Sequence, residues 1–145
     1  MTEKFNVYKP RKTGNGAAVQ FDFNESVKAV FVETTMQSGE QQFDWQNKIV
    51  FKLASMDSAK IITVLEGKSK GIDLFHDMSK SKFSSDSSTK NTTLTLSKGD
   101  YGFFFKLSKQ KTDGSVQTVN CSLSEEEGVI LRILLSKAIE KSFGW

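Results

Sequence analysis

The chain has 145 residues, of which 20 are lysine or arginine and 17 are aspartate or glutamate, giving a net charge of +3. This length fits a single domain, residues 1–145. No apolar run approaches the roughly 20 residues of a membrane span, and the polar N-terminus lacks the apolar segment of a signal peptide. We therefore expect no membrane association and a cytoplasmic location. One cysteine and one histidine cannot form an internal disulfide or an ordinary zinc site, so we expect a reduced thiol and no cofactor.

The first half of the chain reads as four strands and a helix. Strands are predicted by residue alternation and β-branched content at 5–8, 17–23, 27–35 and 43–53, the last being strongest from Lys48 to Leu53. The basic, glycine-rich stretch 9–16 is predicted to be a turn, and the polar stretch 36–42 a loop. A helix follows, with Ser55 as a plausible N-cap, Asp57 in its first turn and Gly67 as its stop.

The second half repeats this order. Strands are predicted at 71–75, 92–97, 101–108 and 116–123, and the Ser/Lys-rich segment 79–90 is predicted to be a mobile loop. Ser124 and Glu127 have the spacing of a capping box, so the acidic run 125–127 marks the start of the last helix rather than a metal site. Val129, Ile130, Ile133, Leu134 and Ala138 give that helix a broad apolar face.

The two halves therefore share one pattern. We predict an α+β fold of two antiparallel four-stranded sheets, each followed by a helix, a duplicated ββββα arrangement. No linker separates the halves, so both should belong to one domain.

Basic and aromatic residues are the chemically distinctive feature. Lysines dominate the first dozen residues and the middle of the chain, and 12 phenylalanines occur against two tyrosines and two tryptophans. Phenylalanines in strands either fill the core or form a surface on which nucleic-acid bases stack. The run Tyr101 to Lys106, flanked by Lys98 and Lys109, and the run Phe43 to Lys48 suit the second role, since lysines neutralise phosphates without reading sequence.

Evidence for catalysis is absent from the motifs. His76 and Asp77 are adjacent, and neighbouring residues of a strand face opposite sides, so they make no automatic dyad. We interpret His76 as a hydrogen-bonded residue at a strand end. The glycines at 14 and 16 lack the rest of a phosphate-binding loop, and no G-x-S-x-G motif occurs. We therefore predict that the protein is not an enzyme.

Four segments in order along nearly the whole chain carry a resemblance to a known family. They are Val7-Tyr8-Lys9 with Gly16-Ala17-Ala18-Val19, Phe43-Asp44-Trp45 with 48–53, Leu74-Phe75-His76-Asp77, and Phe143-Gly144-Trp145. Together they resemble the Whirly family of single-stranded DNA-binding proteins. More broadly they are similar to the superfamily of positive-cofactor-4-like coactivators and mitochondrial guide-RNA-annealing proteins. The family's compact Lys-Gly-Lys-Ala-Ala-Leu motif is expanded here to residues 9–19.

The resemblance implies blade-like sheets, a homotetramer held together by helices, and single-stranded DNA bound along and between the sheets with weak sequence preference. The implied role is in replication, recombination, repair or transcription, in a nucleoid or a virus-infected cell. We expect phosphate contacts from Lys9, Arg11, Lys12, Lys48, Lys106 and Lys109, and rings from Phe21, Trp45, Phe75, Tyr101 and Phe103. RNA binding or annealing, and a structural oligomerisation module that binds no nucleic acid, are the alternatives.

Overall fold

The first half of the chain forms an antiparallel sheet and a helix. The computed structural model describes residues 3–77 and 89–145. The first sheet and its helix comprise β1 (Phe5–Lys9), β2 (Ala17–Asn24), β3 (Ala29–Gly39), β4 (Gln42–Phe43), β5 (Ile49–Leu53) and α1 (Ser55–Leu65). The strands pair in the order β1-β2-β3, and both β4 and β5 pair with β3.

Two predicted boundaries in this sheet are wrong. The loop predicted at 36–42 is largely strand, because β3 continues to Gly39 and the chain returns at once through Gln41, whose φ is 57°. The strand predicted at 43–53 is divided into β4 and β5 by a short 3-10 helix, Trp45–Asn47. Non-local bonds hold this break, since the Asp44 N–H donates to the Met36 carbonyl at 2.9 Å.

The second half forms a four-stranded antiparallel meander and a longer helix. These elements are β6 (Gly71–Asp77), β7 (Thr89–Lys98), β8 (Gly102–Lys111), β9 (Val116–Ser124) and α2 (Glu125–Phe143), with the strands in sequence order. The predicted loop at 79–90 falls outside the described residues except for Thr89 and Lys90, which begin β7. Tyr101 was expected on β8 but lies in the turn before it.

The predicted fold class is confirmed: two antiparallel sheets, each followed by a helix, with the two-residue β4 as an addition to the first. Alternate strand residues from both sheets face one shared core. The edge of the Phe21 ring meets Phe105 of the other sheet, with centroids 6.1 Å apart. Along α2, Leu131, Leu135 and Ala138 close this core.

The helix starts follow local sequence. Ser124 caps α2 as predicted: its hydroxyl accepts from the Glu127 N–H at 3.1 Å, and the Glu127 carboxylate accepts from the Ser124 N–H at 2.7 Å. The start of α1 differs by one residue, because Ala54 is its N-cap and Asp57 accepts the Ala54 N–H at 3.0 Å. Across the described ranges 3–77 and 89–145, neither helix has the length and apolarity needed to cross a membrane.

Candidate nucleic-acid interface

A pair of aromatic rings lies on the outer face of the first sheet. Tyr8 of β1, Ala18 of β2 and Thr35 of β3 are register partners in a row across the sheet. Ala18 and Thr35 are fully buried although they point away from the core. Their small side chains let the rings of Tyr8 and Phe43 meet above them, with centroids 5.6 Å apart. About half of Tyr8 stays exposed, so the pair offers an aromatic surface to a ligand.

Three basic residues lie on segments that adjoin this ring pair. The loop 10–16, which continues from the Tyr8 strand, carries Arg11 and Lys12, both exposed. Lys48, which follows the 3-10 helix, forms an ion pair with Glu33 at 2.8 Å on the same outer face. Surface ion pairs of this kind stabilise by at most about 1 kcal/mol, so Lys48 can exchange its partner for a phosphate at little cost.

The junction between the sheets brings a second set of predicted residues close together. Gln117 of β9 donates its side-chain N–H to the Asn47 carbonyl at 2.6 Å, which ties the second sheet to the 3-10 helix. Lys109 is the register partner of Gln117, and Trp45, half-buried, lies in the same 3-10 helix as Asn47. Trp45, Lys48 and Lys109 are therefore assembled at one edge, although they are far apart in sequence.

The outer face of the second sheet carries another set of rings. Phe75 of β6 and Phe104 of β8 are each 63% exposed, and Lys106 lies two residues from Phe104 on the same face. The strand rise places Phe104 and Lys106 about 7 Å apart. Between them and Phe75 the face is polar, with Thr95 donating to Asp73 at 2.6 Å. Tyr101 is almost fully exposed in the turn before β8.

Three predicted contacts must be corrected. Phe21 and Phe103 are only 5% and 3% exposed, so they are core residues and present no ring to a base. Lys9 lies on the inner side of β1 and pairs with Glu127 of α2 at 2.8 Å, away from Arg11 and Lys12. Lys106 and Lys109, both expected to contact phosphate, lie on opposite faces of β8, because their positions differ by three, an odd number.

The ion pair between Lys9 and Glu127 affects the pKa of the Glu127 carboxyl. Burial raises the pKa of Glu127 and is the largest single influence, but the bonds from Lys9 and from the Ser124 N–H together hold that pKa below its usual value. A charge fixed in this way joins β1 to the start of α2. In this conformation Lys9 is therefore paired with Glu127 and not directed at the outer face.

His76 is hydrogen-bonded near a strand end, as predicted, and the structure supplies the partner that the sequence did not indicate. It lies within β6, its Nε2 is 3.1 Å from an oxygen of Asp57 on α1, and its ring stacks on Phe51 with centroids 4.0 Å apart. Burial raises the pKa of Asp57 most, yet the bonds from His76 and from the Ala54 N–H outweigh it and lower that pKa overall. This arrangement connects the second sheet to the first helix.

Tyr8, Phe43 and Phe104 were not among the rings expected to contact bases, although Phe43 and Phe104 lie in the two aromatic runs named from the sequence. The alternation of strand residues could have indicated Tyr8, because it follows Val7, which is buried, and neighbouring residues of a strand face opposite sides. Phe104 stands between Phe103 and Phe105, so the rings on both faces of β8 hide the alternation.

Solved structures support the fold. WHY3 from Arabidopsis thaliana is 21% identical, with a TM-score of 0.79 over 100% of this chain and 90% of that one. The plant transcriptional regulator PBF-2 is 21% identical, with a TM-score of 0.76 over 99% and 83%. The MRP1/MRP2 structures from Trypanosoma brucei are 16% identical, with a TM-score of 0.73 over 99% and 88%.

Comparison of sequences gives the family. A search of curated protein sequences finds no match. Residues 15–134 match the family described as Whirly transcription factor. Membership supports nucleic-acid binding. The match covers most of the sequence and agrees with the duplicated sheet-and-helix fold, so the chain belongs to the Whirly transcription factor family.

Proposed function

We propose that this protein is a non-enzymatic binder of single-stranded DNA with little sequence preference, acting in replication, recombination, repair or transcription. The observation that carries the proposal is the pairing of exposed rings with cations on the outer sheet faces. Tyr8 and Phe43 lie near Arg11 and Lys12 on one sheet, and Phe104 lies beside Lys106 on the other.

Single strands suit these surfaces better than duplex. Every base of a single strand has an exposed π-face, and stacking on an aromatic ring contributes about 1–3 kcal/mol per base. In a duplex the base faces are covered by their neighbours, so only the cations would bind. Because rings accept any base and lysines contact only phosphate, sequence preference should be weak.

We further propose that the binding unit is a homotetramer joined through α2. The buried side of α2 is formed by Gly128, Leu131, Leu135 and Ala138. The apolar face predicted from sequence is mostly a different one: Val129, Ile130, Ile133 and Leu134 are exposed. A helix that is apolar on two sides buries the second against another protein surface.

The surface beside this helix supports the same proposal. An apolar groove between α2 and the first sheet shares Leu134 with the exposed face and is bordered by Lys137 and Lys141. At the end of α2, Trp145 is 94% exposed, a large ring without cover in one protomer. Copies of the chain meeting here would remove these apolar surfaces from water.

The deciding experiment is a fluorescence titration of the protein with oligo-dT, with duplex DNA of equal length, and with poly-U. We expect oligo-dT to bind much more tightly than duplex, with an affinity that falls as salt rises because bound phosphates release counterions. Equal binding to oligo-dT and duplex, or no binding at low salt, would refute the proposal. Preference for poly-U over oligo-dT would indicate an RNA-binding protein instead, since rings and lysines alone do not distinguish the two.

A further inference from the structure

The basic loop between β1 and β2 is held at both ends by one side chain. Gln37 of β3 is buried, and its Oε1 accepts the backbone N–H of Arg11 and that of Gly16, each at 2.9 Å. Its Nε2 donates to the Gly39 carbonyl at 2.9 Å. A buried amide whose partners are all backbone groups fixes the path of the chain around it.

The backbone at Gly16 is shaped for this contact. A Cβ at Gly16 would lie 2.2 Å from the Lys9 carbonyl oxygen and 2.6 Å from Gln37 Oε1, so only glycine allows so close an approach. Within the loop, the Gly14 N–H donates to the Arg11 carbonyl at 2.9 Å, and Gly14 has a φ of 82°. The loop therefore has internal turn geometry as well as anchored ends.

The anchored loop places two cations beside an aromatic surface. Arg11 and Lys12 are exposed, and two residues lie between Arg11 and Tyr8, whose ring meets Phe43. Phosphates and bases alternate along a nucleic-acid strand, so a binder gains when its cations and rings are held at fixed positions. A loop ordered before binding also loses less conformational entropy when the ligand arrives.

We propose that Gln37 is a positioning residue for nucleic-acid binding: by holding the loop 10–16, it sets Arg11 and Lys12 against the phosphates of a strand whose bases reach the Tyr8–Phe43 rings. This inference rests on the proposed function. It gives the expanded loop a role, because a longer loop without an anchor would hold its cations in no fixed place.

The test compares Gln37→Met, which keeps the size of the side chain but removes its amide, with the double variant Arg11→Ala/Lys12→Ala. Oligo-dT affinity is measured for each over a range of salt concentrations. Loss of two phosphate contacts should reduce the slope of log K against log salt by about 1.4. We expect Gln37→Met to lower both the affinity and this slope, and to have no further effect when added to the double variant.

A matched control exists at the other end of β2. Asn24 Oδ1 accepts the N–H groups of Ser26 and Val27, at 2.9 and 3.2 Å, so Asn24→Ala also frees a hairpin turn. This turn lies away from the ring pair, and Asn24→Ala should leave the salt slope unchanged. Hydrogen exchange at the Arg11 and Gly16 amides shows directly whether the loop has been released. If Gln37→Met does not fold, Gln37→Ala replaces it, because it removes the same acceptor oxygen from the Arg11 and Gly16 N–H groups without adding an apolar group of full length.

The results separate this inference from the proposed function. Wild-type protein that does not bind oligo-dT refutes the function. Wild-type protein that binds, with a slope that Arg11→Ala/Lys12→Ala does not change, refutes only the role of the loop. Faster exchange at Arg11 and Gly16 with an unchanged slope likewise overturns the inference, as does a Gln37→Met effect that adds fully to the double variant. Faster exchange together with a reduced slope supports it.

Discussion

Phe103 and Phe104 are neighbours on β8 with opposite environments. Phe103 is buried against α2, where a Cβ on Gly128 would come within 2.5 Å of its ring, while Phe104 lies on the outer face. The sequence run of three phenylalanines predicts strand and ring chemistry but not which ring faces water. Which ring is buried depends on which side of the sheet α2 covers, and that is a feature of the tertiary structure.

This pair gives a matched test. We expect Phe104→Ala to weaken oligo-dT binding roughly fivefold or more, the loss of about 1 kcal/mol or more of stacking, with little change in unfolding free energy. Phe103→Ala should lower the unfolding free energy by about 3–5 kcal/mol, because it leaves a cavity in the core. Fluorescence titration and urea unfolding measure the two effects. An unaltered affinity of Phe104→Ala would exclude this ring from the interface.

Asp57 gives a prediction about pH. Its folded pKa is lowered overall: burial opposes the shift, but the bonds from His76 and from the Ala54 N–H outweigh it. A carboxylate of this kind adds stability above its unfolded pKa, near 3.8, and that stability is lost as the pH falls through the lower folded value. The free energy of unfolding, measured with urea, should therefore differ less between pH 7 and pH 3 in Asp57→Asn than in the wild-type protein. Asp100→Asn, in an exposed turn, is the control, and an equal narrowing there would contradict the assignment.

At the scale of elements, the start of α2 was predictable and the 3-10 helix was not. Ser124 and Glu127 are three residues apart, so their capping box is written in local sequence. The break between β4 and β5 depends instead on Thr35 of β3, whose hydroxyl donates to the carbonyl of Asp44, the residue that precedes the 3-10 helix. Sequence patterns detect periodicity within an element but carry no sign of such a bond.

The contact between α2 and β8 also makes a testable claim. Alanine is favoured over glycine within a helix by about 1 kcal/mol, yet we expect Gly128→Ala to destabilise the protein because the new Cβ would collide with Phe103. In a Phe103→Leu background the collision is relieved, so the same change should cost less. Urea unfolding of the four proteins gives the coupling. Simple additivity would mean that the ring does not set the requirement for glycine.

At the scale of the whole molecule, the exposed apolar face of α2 is a surface that a self-sufficient protomer would cover. We expect Ile133→Glu to place a charge in the proposed interface and to reduce the assembly from four times the 16.2 kDa chain mass to smaller species in analytical ultracentrifugation. Lys60→Glu, an exposed change on α1, should leave the mass unchanged. Wild-type protein that sediments as a monomer would refute the tetramer.

The candidate interface could be predicted only in part. The candidate contacts that remain, at exposed or half-exposed positions, are Arg11, Lys12, Trp45, Lys48, Phe75, Tyr101, Lys106 and Lys109. The partner of Lys9, Glu127, is more than a hundred residues away, so nothing near Lys9 in sequence shows that its charge is already matched. Residue type indicates which groups a side chain can bind, but the fold determines which side chains are exposed to bind them.

The buried cysteine has a practical consequence. Cys121 is the only cysteine in the chain, and burial raises the pKa of its thiol to about 11. A thiol that is both covered and protonated reacts with a labelling reagent only after β9 separates from the core. The rate of its modification therefore reports how often the native protein opens. Slower labelling in the presence of oligo-dT would show that a ligand bound on the outer faces of the sheets makes this opening rarer.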